Sequence, residues 1–171
     1  MVSGWGFRSR PLVEKHLDAI RQHFEIIPTH RQQVDQLIGD LRDQADVLIG
    51  VHIRHGDYAR WEGGKYYYPV AKYVDVMRQI RQRLSGRRHA FLVCGNTDLR
   101  RDDFGDLNVR FGTGHLIEDM YSFAETDFLV GPPSTYTKWA SLYGDVPLEF
   151  IEGANHDPRL ENLPAGSSRA A

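Results

Sequence analysis

The chain has 171 residues, 41% of them hydrophobic, and 21 Lys and Arg against 23 Asp and Glu give a net charge of −2. That length suits one domain whose core needs neither disulfides nor metals. Interspersed charge of both signs argues against a nucleic-acid binder, which carries a basic excess, and the single cysteine, Cys94, excludes an internal disulfide and fits a reducing compartment.

Residues 1–10 contain no apolar h-region, and no segment approaches the ~18 apolar residues of a membrane span, so the expected location is the cytoplasm. Val13, Leu17, Ile20 and Phe24 recur at helical spacing, and Pro28 closes that segment. Thr29, with Gln32 three residues on, reads as a capping box that opens a second helix with Val34, Leu37, Ile38 and Leu41 on one face. Residues 46–53 are almost continuously apolar, as expected of a strand covered on both faces. A loop rich in glycine and aromatics follows, from Trp61 to Tyr68. Pro69 suits the first position of a third amphipathic helix bearing Val70, Tyr73, Met77, Ile80 and Leu84, which Ser85 and Gly86 stop. Arg78, Arg81, Arg83, Arg87 and Arg88 crowd its C-terminal end. There cations complement the macrodipole, so a solvated face is a better reading than a nucleic-acid patch.

The second half alternates in the same way. Strands are expected at residues 90–94, 108–111, 127–131 and 146–150, with a helix over 118–126. Cys94 ends an apolar run and reads as a buried structural thiol rather than a nucleophile. Ser134 caps a helix running to Tyr143, with Gly144 just past its end. The pattern predicts an α/β fold: a Rossmann-like, mostly parallel sheet flanked by helices and joined by right-handed crossovers. Residues 1–45 form a helical N-terminal segment packing on the domain, 46–152 the Rossmann-like domain itself, and 153–171 a frayed polar tail.

Chemistry gathers where the strands end, the edge at which open α/β sheets bind ligands. The first strand runs into His52, Arg54, His55, Gly56 and Asp57. Arginine is the side chain best shaped to grip phosphate oxygens in pairs. Asn96 and Asp98 follow the second strand, Gly112 to His115 and then Asp119 precede the fourth, and Ser134 and Thr135 open a helix whose first N–H groups suit an anion. One arginine, one helix N-terminus and one acid on a common edge match a nucleotide diphosphate whose base is held by a carboxylate. No Walker loop and no G-x-G-x-x-G turn is present. His52, His55 and Asp57 also suggest a metal site, but on a strand and turn the two imidazoles tend to face opposite sides. His115 shows no ligand spacing in the sequence.

The run His52-Ile53-Arg54-His55-Gly56-Asp57-Tyr58 resembles the first signature of the α-1,2-fucosyltransferases, His-x-Arg-Arg-Gly-Asp-Tyr. The stretch from Asp119 through Lys138 resembles, more loosely, the corresponding part of the α-1,6-fucosyltransferases, and together the likeness spans roughly residues 46–148. The resemblance implies the donor-binding lobe of a GT-B glycosyltransferase, inverting and metal-independent, with no cofactor and with GDP-fucose as donor. Carried over by position, Arg54 binds the diphosphate and stabilises the departing GDP, and His52 supports the sugar–phosphate side. Asp119 accepts from the guanine edge, Ser134 and Thr135 hold phosphate, and Asp98 is an acid near the nucleotide. From its own place beside Arg54, Asp57 is expected to hold the guanidinium, with the role of base as the alternative. The second arginine of the signature is replaced by His55. The N-terminal lobe of the family is not matched, so a partner subunit or a missing lobe is expected to complete the acceptor site. The expected partners are a nucleotide-sugar donor and a carbohydrate acceptor. The competing reading is a non-catalytic nucleotide-binding or interaction module. The aromatic loop suits an acceptor-sugar platform, a docking surface or plain loop packing.

Overall fold

The structure is a computed structural model and describes residues 9–84, 86–153, 159 and 161–163. Two short helices open it, α1 (Arg10–Lys15) and α2 (Leu17–His23), where the apolar spacing predicts one. They part at His16, whose φ of −113° and ψ of 13° leave the helical region. No residue of α2 is buried, and short helices draw their stability from a packed face. With none, nothing holds the two turns in line.

Helix α3 (Pro28–Gln44) begins on the proline expected to end the preceding segment. The ring fixes φ at a helical value and lacks the N–H that a first turn leaves unpaired. Ile27, in extended backbone, therefore becomes the N-cap, and the Thr29–Gln32 capping box does not form. The apolar face holds, with Val34, Leu37 and Leu41 buried.

Strand β1 (Val47–Ile53) is buried at all seven positions. Helix α4 (Val70–Arg83), β2 (His89–Gly95), β3 (Val109–Phe111), α5 (Leu116–Ala124), β4 (Phe128–Gly131), α6 (Thr135–Gly144) and β5 (Leu148–Phe150) follow. All pairings are parallel, in the order β3-β2-β1-β4-β5. The α/β fold read from the alternation is the fold observed.

Successive side chains of a strand point to opposite faces, which explains why β1 must be apolar throughout. Val47, Ile49, Val51 and Ile53 meet Tyr73, Met77 and Ile80 of α4. Leu48 instead meets Leu37 and Leu41 of α3, Phe123 of α5 and Ala140 of α6. Each such side chain contributes roughly 1.5–3 kcal/mol by burial. Because β1 is flanked by β2 on one side and β4 on the other, the order in which strands are added reverses there: β2 and β3 extend the sheet one way, β4 and β5 the other. That switch point opens a crevice at the carboxyl ends of the strands.

The opposite ends of the strands are pinned. Arg42 Nη1 donates to Asp127 Oδ2 at 2.5 Å and Nη2 to Oδ1 at 3.1 Å, while the Leu48 amide donates to the same carboxylate at 2.7 Å. The arginine-rich end of α4 is a paired surface: Arg78 meets Asp75, Arg81 meets Asp106 and Arg88 meets Asp46. Helix α6 runs through Gly144, one residue beyond the expected end, and Asp145 takes the left-handed cap at φ 53°. The glycine serves close packing instead, since a Cβ there would lie 2.0 Å from the Ala124 carbonyl oxygen.

Of the segment expected to be a frayed tail, only 159 and 161–163 fall among the described residues; there Leu163 packs against the α4-side core and the Arg159 amide donates to Glu149 at 2.8 Å. The proposed N-terminal segment is described from residue 9. Among the described residues, no helix is long and apolar enough to cross a membrane.

Candidate functional site

At the switch point the structure forms a cavity of about 200 Å³, bordered by His52 and Arg54 of the β1 end, Cys94 and Asn96 of the β2 end, Asp119 of α5 and Tyr136 of α6. Three of the sequence-predicted residues, His52, Arg54 and Asp119, thus share one cavity. Asp57, Asp98, Ser134 and Thr135 do not border it.

Arg54 is the cavity's cation. Its Nη2 lies 2.9 Å from Asp57 Oδ1, with side-chain exposures of 34% and 60%. Exposed pairs of this kind contribute at most about 1 kcal/mol, so an incoming anion can displace or share the contact. The guanidinium also stands over the Tyr58 ring, 5.6 Å from its centroid. Tyr58 in turn donates to the Pro133 carbonyl at 2.5 Å, tying the β1 loop to the turn before α6.

His52 is 4% exposed and its Nδ1 has no hydrogen-bond partner. The ring lies 5.2 Å from Tyr136 and 6.1 Å from Phe123, centroid to centroid. Burial, and secondly the Arg54 cation, push its pKa down to about 4. At neutral pH this imidazole is uncharged, with an unused polar atom in an apolar wall.

Asp119, also buried, spends Oδ1 on the connection from β3 to α5: the Thr113 amide donates at 2.8 Å and the Thr113 hydroxyl at 3.4 Å. Burial raises its pKa, against the lowering effect of the Thr113 and Gly114 backbone. The approach requires glycine at 112, where a Cβ would lie 2.2 Å from Asp119 Oδ1 and 2.7 Å from Cys94 Sγ. The Cys94 thiol is pushed well up, first by burial and then by Asp119. A thiolate nucleophile is disfavoured there, in agreement with the structural reading.

Ser134 is the N-cap of α6, its hydroxyl accepting from the Tyr136 amide at 3.2 Å. Thr135 and Asp98 are exposed away from the cavity. His55 turns from it: its amide donates to Asn96 Oδ1 at 2.7 Å, its Nε2 donates to the Tyr68 carbonyl at 2.8 Å, and its ring leans on Tyr67. His52, His55 and Asp57 therefore do not converge as metal ligands. In the aromatic loop Trp61 lies between Tyr58 and Tyr66, at 4.8 and 5.3 Å.

Sequence reasoning missed Tyr136, although its place two residues after the cap was a signal for a wall residue. It also missed the meeting of His30, His115 and Glu118, the described group of metal-ligating side chains with donor atoms within 4.8 Å of one another. Nothing in the sequence announces that meeting, because His30 and Glu118 are 88 residues apart.

The fold and the cleft define a doubly wound, parallel α/β domain with a polar cavity at its topological switch point. No family model matches the chain, and no curated protein matches its sequence. Among solved structures it is similar to the fucosyltransferase NodZ from Bradyrhizobium, at a TM-score of 0.52 and 22% identity over 73% of this chain and 44% of that one. A mutant of FUT1 from Arabidopsis thaliana in complex with GDP matches at a TM-score of 0.46 and 17% identity over 77% and 35% of the respective chains. The first likeness establishes a shared fold, and this chain spans less than half the length of either protein.

Proposed function

We propose that this chain is a fucosyltransferase-like glycosyltransferase domain that binds GDP-fucose at the carboxyl edge of its sheet and transfers fucose to a sugar hydroxyl with inversion. The observation that carries this reading is Arg54. It is a part-exposed cation bordering the switch-point cavity, held by an exposed acid and the Tyr58 ring, beside the neutral His52 imidazole. The fold shared with a fucosyltransferase, NodZ, supports it, as does the signature around His52 and Arg54.

In this reading Arg54 takes the diphosphate by charge-assisted hydrogen bonds and offsets the negative charge that grows on the leaving GDP. No metal is required for that role. His52, kept neutral, lines the sugar–phosphate side without competing for the anion. Ser134 and Thr135 act through the first turn of α6, whose amides favour phosphate. With Oδ1 of Asp119 already engaged, a guanine contact falls to its other oxygen. Asp57 orients the guanidinium, and Asp98 stands at the margin of the nucleotide.

The cavity is smaller than the ~300–1,000 Å³ usual for small-molecule sites, so the donor is only partly enclosed. A second lobe or a partner subunit would complete the enclosure and hold the carbohydrate acceptor. The small volume is also what favours the alternative, a non-catalytic nucleotide-binding module. Incubation with labelled GDP-fucose separates the two. Release of free fucose, or transfer to an added oligosaccharide, establishes the enzyme; saturable binding without turnover establishes the module.

A further inference from the structure

Away from the cavity, His30 of the first turn of α3 meets His115, the N-cap residue of α5, and Glu118 of the first turn of α5. His30 Nδ1 lies 2.8 Å from Glu118 Oε1, and the two imidazoles stack with centroids 4.4 Å apart and planes 25° from parallel. We propose that His30, His115 and Glu118 form a binding site for a divalent transition-metal ion of the zinc class, clasping α3 to the start of α5.

Two imidazole nitrogens and one carboxylate are the donor set such ions favour. Glu118 is almost wholly buried, and its Oε1 is fixed 2.8 Å from His30 Nδ1, so it supplies a carboxylate held in place. His30 is half-buried and so also held in place, while His115 is exposed and can turn.

The donor atoms now lie within 4.8 Å of one another, whereas metal bonds of about 2.0–2.1 Å place tetrahedral ligand atoms about 3.3 Å apart. Rotation of the exposed His115 side chain brings its nitrogen in, while the His30–Glu118 contact opens slightly from 2.8 Å as the ion replaces the proton between them. A fourth position is left for water on the side where His30 borders an apolar groove of about 660 Å³ lined by Phe24, Ile27 and Tyr121. The positive ends of α3 and α5 oppose a cation, so the site binds more weakly than a closed four-ligand zinc centre.

The ion would also stiffen one wall of the switch-point cavity. His115 stands between Gly114 and Leu116, both of which border that cavity. Its amide donates to the Thr113 hydroxyl at 3.2 Å, and Thr113 in turn donates to Asp119. The metal site is independent of the nucleotide reading, and its test contains no nucleotide.

The tag-free full chain, stripped with chelator, is titrated with Zn²⁺ by calorimetry and with Co²⁺ by visible absorption. The expected result is one ion per chain, visible bands of four-coordinate Co²⁺, and a melting temperature raised by several degrees (about 2–8 °C) in saturating Zn²⁺. His115→Gln, at an exposed position that leaves the fold intact, and His30→Gln each weaken binding by about tenfold or more, as loss of a ligand costs at least as much as loss of its supporting contacts. His16→Gln, at an exposed histidine between α1 and α2, binds as the parent does. Absence of saturable uptake of either ion, or unchanged affinity in His115→Gln, would overturn the proposal.

Discussion

Two arginine–aspartate pairs stand at opposite ends of the same sheet, and they differ in almost every respect that matters. At the amino ends, Arg42 grips the buried Asp127 through two nitrogens, and the Leu48 amide shares the carboxylate. At the carboxyl ends, Arg54 reaches the exposed Asp57 through one nitrogen and remains a third exposed beside a cavity. The first pair is saturated by the protein and leaves nothing to offer a ligand. The second is loosely held and sits next to a buried nitrogen without a partner. The difference separates a pin that stabilises the fold from a site where a ligand can complete the bonding.

Deleting the acid from each pair sharpens the contrast. Asp127→Ala leaves the buried Leu48 amide unpaired and the Arg42 guanidinium with only the Glu125 carbonyl among these partners, so denaturant unfolding should show a loss of about 3–4 kcal/mol. The next largest effect belongs to the cavity wall. His52 binds a proton less readily folded, at about 4, than at the ordinary 6.5. The unfolded chain therefore takes up the proton first as pH falls. The stabilising contribution of His52 is whole above pH 6.5 and is lost between 6.5 and 4, an amount of about 3 kcal/mol. Unfolding measured across that window should fall less steeply for His52→Gln than for the parent chain; parallel curves would contradict the burial argument. The smallest effect is expected at the loose pair. Asp57→Ala should shift stability by no more than about 0.5 kcal/mol, and a loss comparable to that of Asp127→Ala would mean that the two pairs are alike after all.

Much of the fold and of the edge that carries Arg54 was legible in the sequence, though the Arg42–Asp127 pin was not, and the reasons are local. The continuous apolar run of β1, buried at every position, and the alternation of strands with amphipathic helices define the sheet, and the Ser134 cap forms where a serine before a helical run belongs. Arg54, His52 and Asp119 share one edge because a parallel sheet brings its strand ends together. What was hidden depends on chain entry and on distance. Pro28 overrode a plausible capping box one residue later, and the break at His16 reflects a helix without a buried face. Asp119 looked free for a base, yet the connection that it folds around claims one of its oxygens. His55, which stands where the signature has its second arginine, spends its ring on the Tyr68 carbonyl.

Calorimetric titration of the full chain with GDP, alongside Arg54→Ala, bears on the central claim most directly. The account predicts saturable binding that weakens by about 30-fold or more when the guanidinium is removed, the loss expected for a charge-assisted contact to phosphate. Failure of the parent chain to bind GDP, or equal binding by Arg54→Ala, would contradict it.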